Sequence, residues 1–179
     1  MSDRFRKLLN EELGRKSAEE YRTAKKFPVT VVLDNVRSLN NIGSVFRTAD
    51  GFLVEEVILC GITATPPHRD IRKTALGATE SVPWQYFEHT RDAILDLREK
   101  DHIIISVEQA EGSISLDRFR PEKDRHYALV FGHEIKGVSQ EIVNMSDLCI
   151  EIPQFGTKHS FNISVSAGIV LWHFFTMMK

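Results

Sequence analysis

From Pro28 onward, short apolar runs alternate with amphipathic stretches, the pattern of strands buried on both faces of a parallel sheet and joined by helical crossovers. The runs Val29–Leu33, Val57–Cys60, His102–Val107, Tyr127–Phe131 and Leu148–Ile152 predict strands. Ile42–Gly51, Arg91–Lys100, Ser139–Met145 and Ile163–Met177 predict helices, the last so apolar that it is expected to be largely buried. Ahead of this array Phe5, Leu8 and Leu9 recur at helical spacing, and Ser17 followed by Glu20 reads as a capping box that opens a second short helix after Gly14. The expected fold is therefore α/β, an open, mostly parallel sheet with helices on both faces over residues 28–179, preceded by a helical, basic extension over residues 1–27.

Composition narrows the class. A chain of 179 residues fits one domain, and its 42% hydrophobic and 27% charged residues match an ordinary globular core and surface. No apolar run reaches the roughly 18 to 20 residues that cross a bilayer. The opening MSDRFRKLLNEELGRK is charged where a secretory signal is apolar, so a cytoplasmic protein without membrane contact is expected. Cys60 and Cys149 lie in apolar runs without ligand spacing and read as buried, reduced thiols. None of the seven histidines shows metal-ligand spacing, so no metal is expected. The net charge of −2 excludes a chain basic throughout but not a local patch: Met1 to Lys26 holds eight basic residues against five acidic ones.

In an open α/β sheet the ligand crevice lies beyond the carboxyl ends of the strands, and three segments there are chemically unusual. After Val29–Leu33 comes DNVRSLNNIGSVFRTADGF, in which Asn41, Gly43 and Arg47 fall at the start and along one side of a helix. Asn40 or Asn41 as a helix cap, with Arg47 a solvated surface residue, explains that segment equally well. After Tyr127–Phe131 comes Gly132-His133-Glu134 and then Gly137, glycines that permit a sharp turn and close backbone approach, with a carboxylate at the strand end. A plain strand-to-helix turn with an exposed Glu is the alternative. After Leu148–Ile152 come Pro153, Gln154 and a polar loop that brings Ser160 and Asn162 to the mouth of the apolar helix, where capping alone accounts for them. Neither a phosphate loop nor a G-x-G-x-x-G fingerprint is present, and no nucleophile elbow supports a hydrolase.

Together and in this order, NNIGSVFRTAD, FGHEIKGVS and IPQFGTKHSFNIS make the chain resemble the SpoU/TrmH family of the SPOUT superfamily of RNA methyltransferases, over about Phe27 to Trp172. The resemblance implies a C-terminal segment threaded into a deep trefoil knot, S-adenosyl-L-methionine as cofactor, and a homodimer with its sites near the subunit interface. It implies methyl transfer to a ribose 2′-hydroxyl of RNA, with Asn41, Arg47, Glu134, Ser160 and Asn162 as the catalytic set. Val107, Gly132, Ile152, Gln154, Ser160, Phe161 and Asn162 are the implied cofactor contacts; Phe161 stands where leucine is usual in the family. Because arginine stays protonated, Arg47 is expected to stabilise the developing alkoxide or orient a phosphate rather than act as a base.

RNA is held mainly through phosphates, so Arg4, Arg6, Lys7, Lys25, Lys26, Arg69, Arg72 and Lys73, with His68, are the expected RNA contacts. Ordinary solvated charge is the competing account of that patch. Transfer RNA is the favoured substrate, because the chain has only a short basic segment where some relatives carry a separate RNA-binding domain. The alternatives are a ribosomal RNA methyltransferase, a non-catalytic RNA-binding protein of the same fold, and an unrelated nucleotide-binding enzyme.

Overall fold

The structure is a computed structural model and describes residues 5–179, so Arg4 lies outside the described residues. Seven parallel strands form one sheet: β1 (Phe27–Asp34), β2 (Val54–Cys60), β3 (Trp84–Phe87), β4 (His102–Val107), β5 (Ile114–Ser115), β6 (His126–Phe131) and β7 (Leu148–Glu151), in the order β3-β2-β1-β6-β4-β7-β5. The helices are α1 (Ala18–Thr23), α2 (Leu39–Gly51), α3 (Arg69–Ala75), α4 (Ala78–Ser81), α5 (Thr90–Glu99), α6 (Gln140–Met145) and α7 (Ile163–Met178).

Alternation along β1 shows why its run is apolar but for Thr30. Val29, Val31 and Leu33 face the cluster formed by α2, α3 and α7, while Val32 faces the cluster of α5 and α6. A strand covered on both sides is apolar at nearly every position. Gly43 makes the α2–α3 contact possible: a Cβ there would sit 2.3 Å from the Ile71 carbonyl oxygen and 2.2 Å from Thr74 Oγ1.

All five predicted strands and all four predicted domain helices form, with ends shifted by at most a few residues. The sequence reading overlooked β3 and β5, both at sheet edges, and the short, charged α3 and α4. One predicted helix is corrected. Phe5, Leu8 and Leu9 do not form a helical turn, and only a 3-10 turn follows at Asn10–Leu13, because these side chains stay exposed and no core rewards the order of so short a helix. The α1 capping box forms as expected, with Ser17 Oγ accepting from Glu20 N–H at 3.2 Å and Glu20 accepting from Ser17 N–H at 2.7 Å.

Two burial expectations also change. Helix α7 buries Ile163, Ala167, Val170, Leu171, Phe174 and Met178, but leaves Val165, Trp172 and Met177 exposed along another face. Cys60 is buried, which pushes its thiol up to about 12, whereas Cys149 is only half-buried; both are free. No helix among the described residues is long and apolar enough to cross a membrane.

Candidate active site

The three unusual segments meet at the carboxyl ends of β1, β6 and β7. Ser38 caps α2 by accepting from Asn41 N–H at 3.3 Å, which leaves the Asn41 side chain free for other work. That amide, almost fully buried, donates Nδ2–H to Glu134 Oε1 at 3.2 Å, and its Oδ1 accepts from Asn162 Nδ2 at 3.0 Å. Asn162 is itself the N-cap of α7, its Oδ1 accepting from Ser164 N–H at 2.9 Å. A single relay, Glu134 to Asn41 to Asn162, thus closes one residue from each segment onto the next across 93 and 121 residues of chain.

Glu134 also accepts from Ser38 N–H at 2.8 Å and Arg37 N–H at 3.1 Å. Burial opposes its ionisation, but the Ser38 and Arg37 amides, with the Asn41 amide, outweigh that cost and hold the carboxyl below its usual range. A carboxylate this well supplied with donors is a fixed anion, suited to positioning rather than to taking up a proton. Beside it, the loop after β6 folds back on itself: His133 and Gly137 exchange N–H···O=C bonds of 3.0 and 2.8 Å. Gly132 is obligatory there, since a Cβ would lie 2.1 Å from backbone atoms of Gly137 and Val138.

Against this relay lies a cavity of about 310 Å³, lined by six of the seven predicted cofactor contacts: Val107, Gly132, Ile152, Gln154, Ser160 and Phe161. Asn162 stands behind the lining, as the cap and relay residue. Sequence reasoning missed Glu108, Gln109, Phe131 and Ile163, which also line it. Glu108 and Gln109 directly follow Val107 at the end of β4, so the rule about strand ends carried the signal. Glu108 Oε2 accepts from Val138 N–H at 2.9 Å and Gln109 Nε2 donates to the His159 carbonyl at 2.7 Å, fastening two walls of the cavity to β4. The walls combine apolar faces from Phe131, Ile152 and Ile163 with the carboxylates of Glu108, Glu134 and Glu151. Such a pocket takes an amphipathic, nucleoside-sized ligand and favours positive charge on it.

Arg47 is not brought to this cavity. It is exposed on α2 and lines a separate cleft with Arg15, Lys16, Tyr21, Asp50 and Leu76, so Asn41 and Arg47 do not share one crevice within a protomer. Six residues of α-helix rotate the side-chain direction by about 600°, which leaves the two about 120° apart around the helix. The expected RNA contacts also divide. Arg69, Arg72 and Lys73 are exposed on α3, and His68, Arg69 and Arg72 line a shallow recess. Lys7 and Lys25 are exposed, whereas Arg6 pairs with Glu12 at 2.8 Å. Lys26 is committed to the Tyr21 carbonyl and lies over the Tyr21 ring, 3.9 Å from its centroid.

The family model of the SpoU rRNA methylases matches residues 28–172. The 23S rRNA (guanosine-2′-O-)-methyltransferase RlmB of Neisseria meningitidis serogroup B is 31% identical over 144 residues, 80% of this chain and 56% of that protein. The chain thus spans little more than half the length of that curated relative. Among solved structures, the AdoMet-bound rRNA methyltransferase from Sinorhizobium meliloti superposes with a TM-score of 0.78 at 26% identity, covering 86% of this chain and 59% of the other. The TrmH/SpoU tRNA modifying enzyme of A. aeolicus shares the fold, with a TM-score of 0.78 at 24% identity over 93% of this chain and 82% of its own.

Proposed function

Since the chain belongs to the SpoU rRNA methylase family, we propose that it is an S-adenosyl-L-methionine-dependent methyltransferase acting on a ribose 2′-hydroxyl of RNA, with transfer RNA the favoured substrate. The observation that carries this reading is the Glu134–Asn41–Asn162 relay closing on a cavity lined by Val107, Gly132, Ile152, Gln154, Ser160 and Phe161. The cavity fits the cofactor's chemistry: apolar walls for adenine, and three carboxylates for a ligand with a positively charged sulfur. When bound, the cofactor supplies an electrophilic methyl group.

The residues divide the remaining work. The relay fixes the loop after β6 and the start of α7 against α2, so these two walls of the cavity are held at one spacing. Ser160, exposed at the rim, is available to the incoming ribose. Arg47 supplies a fixed positive charge for the forming alkoxide or the adjoining phosphate. Its place outside its own protomer's cavity supports a homodimer in which Arg47 of one protomer serves the substrate held at the other. The uncovered face of α7 supports the same assembly: Trp172 is 58% exposed and stacks on Phe175, which meets Phe52 and Phe27 in an aromatic patch. The trefoil knot of the family that the sequence resembles belongs to this proposal. So do the division into a basic extension over residues 1–27 and a catalytic domain over 28–179, and RNA contact through the exposed Lys7, Lys25, Arg69, Arg72 and Lys73.

Transfer of labelled methyl groups to bulk transfer RNA and, separately, to ribosomal RNA tests the substrate. Label in transfer RNA supports the proposal as stated. Label only in ribosomal RNA replaces its substrate with the one in the Neisseria relative's name. Cofactor binding by calorimetry without label in either RNA favours a non-catalytic RNA-binding protein. If the basic residues hold phosphates, the logarithm of RNA affinity falls linearly with the logarithm of salt concentration, and a flat response removes them from the interface.

A further inference from the structure

At the opposite end of the sheet from the cavity, three metal-ligating side chains converge. Glu55 of β2, His102 of β4 and His126 of β6 each offer one ligand atom, all within 4.8 Å of one another. Glu55 Oε2 lies 3.3 Å from His102 Nε2, and Glu55 Oε1 lies 3.0 Å from His126 Nδ1. Two bonds of about 2.0–2.1 Å at a tetrahedral ion place their donor atoms roughly 3.3 Å apart, so both carboxylate–imidazole distances already match.

The sheet is built to bring them together. His102 and His126 are direct partners in the β4–β6 register, on the face of Ile104, Ala128 and Val130. Glu55 reaches that face through a break in alternation. Val54 and Val57, three residues apart, both pack on the α2 and α7 side, and the β1–β2 register slips between Phe27 and Thr30. The extra residue of that slip lies on β1, between Phe27 and Thr30, and the Glu55 side chain extends over β1 to the two imidazoles. The His102 side chain is only 8% exposed and turns its Nε2 to Glu55, so the donor atoms meet in a partly buried site. His126 is 49% exposed, which leaves a way in from solvent and room for water as a further ligand.

We propose that Glu55, His102 and His126 form a zinc-binding site that ties β2, β4 and β6 together at the amino end of the sheet. Two imidazoles and a carboxylate are donors of the hardness zinc accepts, and three protein ligands leave one tetrahedral position for water. The three residues stand at the amino ends of their strands, away from the cavity that the proposed cofactor contacts line, so the role is structural, bracing β2, β4 and β6 against one another.

The test uses the whole chain, stripped with chelator and titrated with zinc chloride in a calorimeter. The expected result is one zinc per chain and a raised Tm. His126→Ala truncates a half-exposed side chain and leaves the fold intact by circular dichroism, yet weakens zinc binding by more than about 100-fold, since even outer partners of metal ligands cost roughly 10- to 100-fold. Glu55→Gln behaves the same way. Cobalt supplies a second readout: the parent protein acquires the intense visible bands of a tetrahedral ion, and His126→Ala does not. Zinc binding of equal strength in parent and His126→Ala, or a cobalt spectrum identical to the free aqueous ion, overturns the proposal.

Discussion

The two ends of the sheet carry polar clusters of opposite construction. At the carboxyl end, Glu134 is surrounded by backbone donors and Asn41, and each of its oxygens is bonded within the protein. At the amino end, Glu55 is met only by side chains, His102 and the half-exposed His126. The first is a closed frame that holds a cavity in shape. The second is open to an outside ligand. Backbone donors cannot leave a strand end, so they suit a site whose geometry must not vary, while side chains on three strands can close around an ion.

Variants at the two ends separate these roles. The largest effect is expected from Arg47→Ala, which in the proposed dimer removes the charge supplied to the partner's substrate while leaving the frame untouched. Turnover falls by about 10²–10³-fold, the usual scale for one such group, with cofactor affinity by calorimetry unchanged. Near-parental turnover would exclude Arg47 from the chemistry. Next is Gly132→Ala, whose methyl group meets backbone of Gly137 and Val138 and so has no flexible neighbour to displace. It costs roughly 1–3 kcal/mol by overpacking, read as a lower Tm and weaker cofactor binding together.

Glu134→Gln sharpens the contrast through pH. The Glu134 carboxyl is lowered in the folded chain, so its contribution is present above the unfolded value and is lost as pH falls through the folded one. The variant should lose stability at neutral pH, on the order of 1–3 kcal/mol for donors left poorly paired, and converge with the parent in acid. A parallel offset at every pH would contradict this. The smallest effect is expected at the other end: His126→Ala leaves methyl transfer within about twofold of the parent, because no group there touches the cavity.

How much of this was legible in the sequence follows from the same physics. Strands covered on both faces must be apolar at nearly every position, so β1, β2, β4, β6 and β7 announced themselves. The edge strands β3 and β5 have no such requirement, and Trp84–Phe87 is largely solvent-facing. Phe5, Leu8 and Leu9 have helical spacing without a surface to bury against, and spacing alone does not fold a turn. Residues at the carboxyl ends of strands were legible as site candidates because they follow apolar runs within a few positions. That Asn41 turns into the buried relay and Arg47 to a separate cleft was not, since spacing gives the angle between two side chains on a helix but not which of them faces the site. The histidine pair was hidden altogether: His102 and His126 stand 47 and 71 residues from Glu55, and only the parallel register of the sheet brings the three together.

The chemistry itself rests on where the methyl group goes. RNA labelled by the protein from radioactive S-adenosyl-L-methionine is digested to completion with alkali, which cleaves only where a free 2′-hydroxyl can attack the neighbouring phosphate. Label retained in alkali-resistant dinucleotides is the result this account predicts. Label released in mononucleotides would place the methyl group on a base and contradict it.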